Sequence, residues 1–270
     1  MFKLISVILI VKGVFSLVGC AKLPLNETKF FPNYDNVDYG PEMAGGYLEG
    51  DILPDTTRNG LPELKWPGNT VKYVFCGDFT AEQKKSVRQC HRMLSNRTCL
   101  RFVETTKSDF GYVCITNEPN GCWSALGYRG TKSQNMNLGP GCLRNVYIIC
   151  HEFIHALGFS HEHNSYNRDD YVRIRFGNII DGMKYGFTKR VNSKDCRVHF
   201  NKASIMAYGP HAFSKNGFET ITPRDGVYTG MGQRRRIPES DIRKINRMYC
   251  YNNCTSTLNT KAPKIIKLSS

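Results

Sequence analysis

No apolar run in this sequence of 270 residues is long enough to cross a membrane, which argues against a membrane-spanning protein. The run Leu4–Val11 is too short for a span, but with Lys3 before it the segment is typical of a secretory signal. Small residues follow from Gly19 to Ala21, where such a signal would be cleaved. We therefore predict a signal peptide over residues 1–20 and a secreted, extracellular protein that does not bind a membrane.

Acidic residues are scarce relative to basic ones, with 23 Asp and Glu against 37 Lys and Arg and a formal net charge of +14. The basic residues are scattered and form no nucleic-acid-binding motif, so we predict no nucleic-acid partner. Their one tight cluster, Arg234–Arg236, is interpreted as a solvated face or a contact for a polyanion. A cationic surface would also concentrate acidic substrates near the protein.

The eleven cysteines fall to ten once the signal peptide is removed, because Cys20 lies at its end. An even number of cysteines in a secreted protein predicts disulfide bonds rather than free thiols. Three sequons permit N-glycosylation, so we also expect a glycoprotein. The sequons begin at Asn26, Asn96 and Asn253.

The most informative stretch of the chain reads H-E-x-x-H-x-x-G-x-x-H. His151 and His155 are four residues apart, so on a helix both imidazoles point the same way and can bind one Zn²⁺. Glu152 lies beside that face and can act as a general base toward a water at the metal. Because Gly158 can adopt a left-handed conformation, the backbone can leave the helix and bring His161 back as a third ligand.

This pattern is the metzincin form of the zinc motif, which also requires a methionine-containing turn further along the chain. A bare H-E-x-x-H occurs by chance on many amphipathic helices, but the added glycine and third histidine favour function. The segment 204–208 supplies the turn, with Met206 at its centre. We therefore predict one catalytic zinc ion per chain. The other four histidines are interpreted as surface or packing residues; they are His91, His163, His199 and His211.

Hydrophobic periodicity and capping residues outline a mixed fold. Thr80 and Gln83 form a capping box, which predicts a helix that ends near Ser95. Further helices are predicted over 146–157, which carries the zinc motif, and over about 239–249. Strands and helices mix without a βαβαβ rhythm, so we predict an α+β fold. The predicted strands are 71–75, 100–103, 112–115 and 136–138.

Residues 21–58 are rich in Pro, Gly, Asn, Asp and Tyr without a sustained period, so we predict an irregular, extended pro-segment. Before maturation its Asp51 can bind the zinc and displace the catalytic water. It can equally be a simple turn aspartate, because Gly-Asp pairs are common in loops. The basic run 57–60 offers a site for activating cleavage. We expect 59–254 to form the catalytic domain and 255–270 a disordered basic tail.

Several long motifs, in the correct order over about residues 46–254, resemble the astacin family of zinc metalloendopeptidases. The resemblance implies hydrolysis of peptide bonds in proteins by an enzyme made as a zymogen, and we expect a monomer. It also implies two lobes beside a long cleft: an upper lobe with a twisted mixed sheet and a long zinc helix, and an irregular lower lobe. The matching motifs are His151–Val172, Leu48–Asp51, Trp66–Pro67, Thr98–Phe102, Gly121–Ser124, Gly232–Arg234 and Ile245–Asn246.

The resemblance assigns roles residue by residue. Glu152 matches the catalytic base of the family, and the zinc ligands match His151, His155 and His161. Tyr208 matches the tyrosine that ligates the resting metal and then swings to stabilise the tetrahedral intermediate.

Two further matches concern maturation. Asp51 matches the aspartate that ligates zinc in the zymogen, which favours the switch over the simple turn. Glu162 matches the glutamate that pairs with the new N-terminus after cleavage.

Part of the disulfide pattern also follows from the resemblance. Cys122 and Cys142 match a family pair near the edge strand. Cys99 matches a cysteine joined to the C-terminal region, so its partner should be Cys250 or Cys254. The pairing of the others stays open. They are Cys76, Cys90, Cys114, Cys150, Cys196 and the unused C-terminal cysteine.

Three positions depart from the family pattern. Ser165 and Asn167 stand where the family usually has Arg and Asp, so a local ion pair is missing. Ala207 stands where the family usually has His, at a position that is not a zinc ligand. The residues of direct chemical importance keep their types, which favours an active enzyme. The alternatives are a catalytically inactive secreted binding protein on the same scaffold and a structural zinc or disulfide protein, although structural zinc sites lack an open position.

Overall fold

The computed structural model describes residues 40–54, 65–190 and 195–254. The predictions for the signal peptide, for the cleavage site at 57–60 and for the basic tail lie outside these residues. Within the described ranges, no helix has both the length and the apolar character that a membrane span requires.

The described strands form two sheets, whose members are β1 Ile52–Leu53, β2 Thr70–Phe75, β3 Arg101–Glu104, β4 Tyr112–Thr116, β5 Cys122–Ala125, β6 Ser133–Leu138, β7 Val172–Ile174 and β8 Ile221–Pro223. The larger sheet has six strands in the order β1-β5-β6-β4-β2-β3. Its neighbours are parallel except for β5 and β6, which are antiparallel. β7 and β8 form a separate antiparallel pair. The sheet is therefore mixed, as predicted.

The three α-helices of the described chain are α1 Ala81–Ser95, α2 Val146–Ala156 and α3 Glu239–Ile245. The last helix is shorter than predicted, because its hydrogen bonding widens into a π-helical turn at Asn246–Cys250. Short 3₁₀ turns occupy Pro41–Ala44, Pro67–Asn69, Cys142–Arg144, Glu162–Asn164, Arg168–Asp170, Phe176–Asn178 and Lys184–Phe187. Strands and helices in this arrangement confirm the α+β class.

The capping box at the start of α1 is confirmed. The Thr80 hydroxyl accepts a hydrogen bond from the Gln83 amide at 3.2 Å, and the Gln83 side chain accepts one from the Thr80 amide at 2.9 Å. Together these bonds satisfy two backbone donors that the helix itself leaves free. The buried face of α1, which includes Val87 and Leu94, packs in one core with α2 and the large sheet.

Two hydrophobic clusters correspond to the two lobes. The larger cluster joins the six-stranded sheet to all three helices. The smaller one collects Ile179, Phe187 and Phe213 around the β7–β8 pair, and it also holds Met43 of the predicted pro-segment. Tyr208 belongs to the smaller cluster, whereas α2 belongs to the larger. Tyr208 and the helix that carries His151 and His155 therefore pack in different clusters.

The C-terminal end of α2 is fixed by two buried hydrogen bonds from distant parts of the chain. The Trp66 indole donates to the carbonyl of Ala156 at 2.7 Å, and the Tyr249 hydroxyl donates to that of Leu157 at 2.9 Å. The last carbonyls of a helix have no partner within the helix. These donors hold the turn from which the chain leaves α2.

All ten cysteines from Cys76 onward are paired, in the bonds Cys76–Cys114, Cys90–Cys150, Cys99–Cys250, Cys122–Cys142 and Cys196–Cys254. Of the two partners left open for Cys99, the structure has Cys250. The Cys90–Cys150 bond links α1 to α2 directly before His151. The zinc helix is therefore held covalently as well as by packing.

The two disulfides matched to the family should differ in their contribution to stability. Cys99–Cys250 spans 151 residues and Cys122–Cys142 spans 20. In the loop-entropy description, removing them lowers the free energy of unfolding by about 5 and about 3 kcal/mol respectively. We expect this order when the double Cys→Ser variants are unfolded in guanidinium. An equal or larger loss for the Cys122–Cys142 variant would contradict the loop-length argument.

Candidate metal centre and active site

The three histidines of the zinc motif converge on one buried point. The Nε2 atom of His151 lies 3.1 Å from that of His155 and 3.3 Å from that of His161. All three side chains are shielded from solvent. His151 and His155 lie one turn apart on α2, so their convergence follows from the helical spacing.

Gly158 brings the third histidine to the same point. Its φ of 100° is in the left-handed region that favours glycine, and the chain leaves α2 there. The carbonyl of Phe159, just beyond the turn, accepts a hydrogen bond from His155 Nδ1 at 2.7 Å. The predicted departure from the helix at Gly158 is confirmed.

Each histidine has an outer partner that fixes its ring. His151 Nδ1 donates to the carbonyl of Ile205 in the methionine turn at 2.7 Å, much as His155 donates to Phe159. His161 Nδ1 instead faces the carboxylate of Glu49, at 2.8 Å. A proton held on Nδ1 leaves Nε2 free as a metal ligand. Two of the three outer partners are backbone carbonyls, and the third comes from the predicted pro-segment.

Asp51 completes a four-ligand group. One of its carboxylate oxygens lies 3.1 Å from His151 Nε2 and 3.2 Å from His161 Nε2, and the other lies 3.4 Å from His155 Nε2. The four ligand atoms all lie within 4.8 Å of one another. Three imidazole nitrogens and one carboxylate form a donor set that suits tetrahedral zinc. Among the described residues this is the one group with such ligand spacing, and it can bind one metal ion.

Glu152 lies beside this group with no hydrogen-bond partner for either carboxylate oxygen among the described residues. Burial raises the pKa of its carboxyl well above the usual value, and the nearby carboxylates of Asp51 and Glu42 raise it further. Buried carboxylates normally have partners. An unpartnered one beside a metal site is available to exchange protons with a reactant.

Tyr208 reaches the site from the methionine turn. Its ring centroid lies 4.4 Å from that of His161, and its hydroxyl donates to the backbone carbonyl of Glu49. Met206 is buried in the same turn, and its carbonyl accepts a hydrogen bond from the Glu162 amide at 2.8 Å. The turn therefore holds both Tyr208 and the backbone next to His161.

Glu162 already has partners in this structure. Its carboxylate pairs with the Lys244 ammonium of α3 and accepts a hydrogen bond from the Asn201 amide at 3.0 Å. Both charged side chains of the pair are more than nine-tenths buried. Sequence reasoning did not find Lys244, because nothing near it in the chain indicates a partner.

The described part of the predicted pro-segment, residues 40–54, is more regular than expected. It has a 3₁₀ turn and the short strand β1, which pairs parallel to β5 with Ile52 opposite Ser124. The Ser124 amide also donates to the carbonyl of Asp51 at 2.8 Å. The segment therefore covers the edge of the large sheet next to the metal group.

Two further carboxylates of residues 40–54 bind arginines. The prediction of a solvated face at Arg234–Arg236 is wrong for Arg234, which pairs with Glu42, whereas Arg235 and Arg236 are exposed. Glu42 lies 3.0 Å from Arg234, with both side chains largely buried. Glu49 pairs with Arg190 as well as with His161. Gly50, which follows Glu49 directly, has a φ of 90°, and a side chain there would meet Phe213 and the Tyr208 hydroxyl. Any other residue would be strained at this position, because L side chains rarely adopt this backbone conformation.

The departures from the family pattern leave the site intact. Ser165 Oγ donates to the side-chain oxygen of Asn167 at 3.1 Å, a neutral bond in place of an ion pair. Ala207 is buried in the methionine turn. Of the remaining histidines, His91 is packed between aromatic rings and His199 is exposed, as predicted. His163 is buried close to Tyr208.

A histidine triad on a helix and its glycine turn, with an adjacent free carboxylate and a methionine turn, defines the class of zinc metallopeptidases. The family model for astacin, a family of peptidases, matches residues 59–250. The chain belongs to the astacin family of zinc metalloendopeptidases, and its cofactor is zinc.

Individual relatives agree with this membership. Seminal metalloprotease 1 of Drosophila melanogaster is 39% identical over 225 residues, which cover 77% of this chain and 88% of that protein. Low choriolytic enzyme of Oryzias latipes is 34% identical over 75% of this chain and 77% of that protein. Among solved structures, high choriolytic enzyme 1, a hatching enzyme zinc-protease of Oryzias latipes, superposes with a TM-score of 0.64. That likeness has 32% identity and covers 71% of this chain and 94% of the solved one.

Proposed function

We propose that this protein is a secreted endopeptidase made as a zymogen, in which residues 40–54 block the site until they are cut away. The observation that carries the proposal is the placement of Asp51 at all three histidines, beside an unpartnered Glu152. His151, His155 and His161 hold the zinc, and Asp51 is the additional ligand of the precursor.

The proposed function assigns a role to each segment of the chain. Residues 1–20 direct secretion, 21–58 form the pro-segment and 59–254 the catalytic domain, which acts as a monomer. The five disulfides suit an oxidising, extracellular compartment. Asn96 and Asn253 are both exposed, as glycosylated asparagines must be. No nucleic acid or membrane takes part.

In the mature enzyme, zinc when bound supplies a Lewis acid that polarises the scissile carbonyl and lowers the pKa of water. Glu152 accepts the proton of the attacking water and delivers it to the leaving amine. The Tyr208 hydroxyl donates a hydrogen bond to the carbonyl oxygen as negative charge develops on it. The outer partners of the histidines keep the rings in place during these steps.

The substrate binds as an added strand along β5, over about residues 121–128. An exposed sheet edge offers unpaired backbone donors and acceptors to an extended peptide. In the precursor, β1 of the pro-segment pairs with that same edge. The pro-segment and the substrate therefore compete for one surface, which supports a zymogen.

The pro-segment also holds the catalytic side chains. The carboxylate of Glu49 lies against His161 Nδ1, and the backbone carbonyl of Glu49 accepts a hydrogen bond from the Tyr208 hydroxyl. Glu42 and Asp51 add buried charged contacts on either side of that turn. Breaking a buried charged pair by removing one partner is costly, so each of these contacts favours the blocked state.

Removal of the metal provides the direct test. We expect the protein with its pro-segment cut away to hydrolyse casein, because the four-ligand group then keeps three histidines and gains an open position. A zinc chelator should abolish that hydrolysis, and added Zn²⁺ should restore it.

The alternative hypothesis, an inactive binding protein on the same scaffold, predicts the opposite result. It binds zinc in equal measure but leaves casein intact at every concentration of the cut protein. Zinc content by metal analysis, measured on the same samples, separates an inactive scaffold from an enzyme that has lost its metal.

A further inference from the structure

His163 is a buried side chain with no role in the mechanism described above. It is 2% exposed, in the 3₁₀ turn Glu162–Asn164 that follows the third histidine. Neither of its ring nitrogens has a hydrogen-bond partner among residues 40–54, 65–190 and 195–254. Burying polar atoms without partners is unfavourable, so a residue of this kind needs another reason to be there.

The face of the His163 ring stacks on the ring of Tyr208. Its centroid lies 4.2 Å from that of Tyr208, with an angle of 27° between the two planes. The other described rings around Tyr208 meet it more steeply: His161 at 46°, Phe213 at 57° and Phe187 at 67°. His163 is therefore the neighbour that lies nearly flat against the tyrosine.

The backbone around His163 is firmly held, so its ring can serve as a fixed surface. Arg168 donates to the carbonyl of His163 at 3.0 Å. Asn164 donates through its side chain to Gly186 at 2.7 Å and accepts from the Arg190 amide, also at 2.7 Å. These contacts are made with the catalytic domain and not with the pro-segment, so they persist after maturation.

Tyr208, by contrast, must change its partner. In the precursor its hydroxyl is bonded to the carbonyl of Glu49, which leaves with the pro-segment. The hydroxyl then has to reach the carbonyl oxygen of the substrate. A flat neighbour on one face lets a phenol ring slide within its plane but opposes tilting out of it.

We infer that His163 is a positioning residue for catalysis, whose imidazole face keeps the Tyr208 ring in the plane from which its hydroxyl reaches the substrate. The inference rests on the proposed role of Tyr208. Because the nitrogens of His163 have no partner, the flat shape of the ring matters and hydrogen bonding does not. Phenylalanine should therefore replace it, and alanine or leucine should not.

The test uses the mature enzyme with a peptide substrate. We expect His163→Ala to lower kcat by about 2- to 10-fold, the range of one aromatic stacking contact. KM and zinc content should stay unchanged, and His163→Phe should restore most of kcat. Leucine fills similar space but has no flat ring, so His163→Leu should lower kcat as His163→Ala does. His163→Leu takes the place of His163→Ala in the test if the alanine variant does not fold. The exposed His199→Ala serves as the matched control.

A double-mutant cycle distinguishes positioning from a general structural effect. In a Tyr208→Phe background there is no hydroxyl left to direct, so His163→Ala should cause no further loss. An equal loss in both backgrounds, a change confined to KM, or a Phe variant as poor as the Ala variant would overturn the inference. Full activity of Tyr208→Phe alone would instead remove the proposed tyrosine step, and this inference with it, without touching the assignment of Glu152.

Discussion

Replacing Glu152 with glutamine should lower kcat/KM of the mature enzyme by about 10²- to 10⁴-fold, the usual contribution of a general base. The amide has the size of the carboxylate but cannot accept the proton of the attacking water. Neither carboxylate oxygen of Glu152 has a hydrogen-bond partner among the described residues, so the substitution breaks no hydrogen bond seen there. Hydrolysis of a quenched peptide, with zinc content measured in parallel, checks the expectation.

The matched control is Glu82→Gln, an exposed glutamate on α1 far along the chain from the zinc motif. It makes the same chemical change and should leave kcat/KM unaltered. If Glu152→Gln kept most of its activity with a full complement of zinc, another group would have to move the proton. The mechanism proposed here would then be wrong, although membership of the family would stand.

Replacing Asp51 with asparagine in the uncut precursor should produce activity without cleavage. Asp51 is fully buried against three histidines, and the loss of one partner in such a charged contact costs about 2–5 kcal/mol. Each 1.4 kcal/mol is a factor of ten in an equilibrium. The fraction of precursor with an open site should therefore rise by about 30-fold or more.

The assay compares the peptide hydrolysis rates of uncut wild type and variant, with gel analysis to show that the pro-segment remains attached. Asp78→Asn, at an exposed position, is the control for the loss of one negative charge. If the variant precursor hydrolysed the peptide no faster than the uncut wild type, β1 and the pairs Glu42–Arg234 and Glu49–Arg190 would suffice to keep the precursor inactive. Asp51 would then not be needed to inhibit the precursor.

Features encoded by neighbouring residues were predictable from the sequence. The spacing of His151 and His155 determines their common direction on a helix, and Gly158 determines where that helix is left. The capping box at Thr80 locates the start of α1 for the same reason. In each case the interacting groups lie within a few residues of each other.

Partners that are distant in the chain could not be found in this way. Glu49 is 112 residues from His161 and 141 from Arg190, and no local pattern indicates either contact. The strands β1, β7 and β8 have two or three residues, too few to show a period of two. The pairing of the six cysteines outside the family pattern was equally undetermined, because spacing alone does not fix connectivity.

The Lys244–Glu162 pair has a consequence for maturation. A carboxylate this deeply buried is already neutralised by an ammonium group while the pro-segment is attached. A new N-terminal ammonium would therefore meet a carboxylate that is already paired. Lys244 would have to move to another acceptor before the new ammonium could bind Glu162. In the proposed maturation, the new N-terminal ammonium would therefore exchange with the ammonium of Lys244 at Glu162, which adds no ion pair in total.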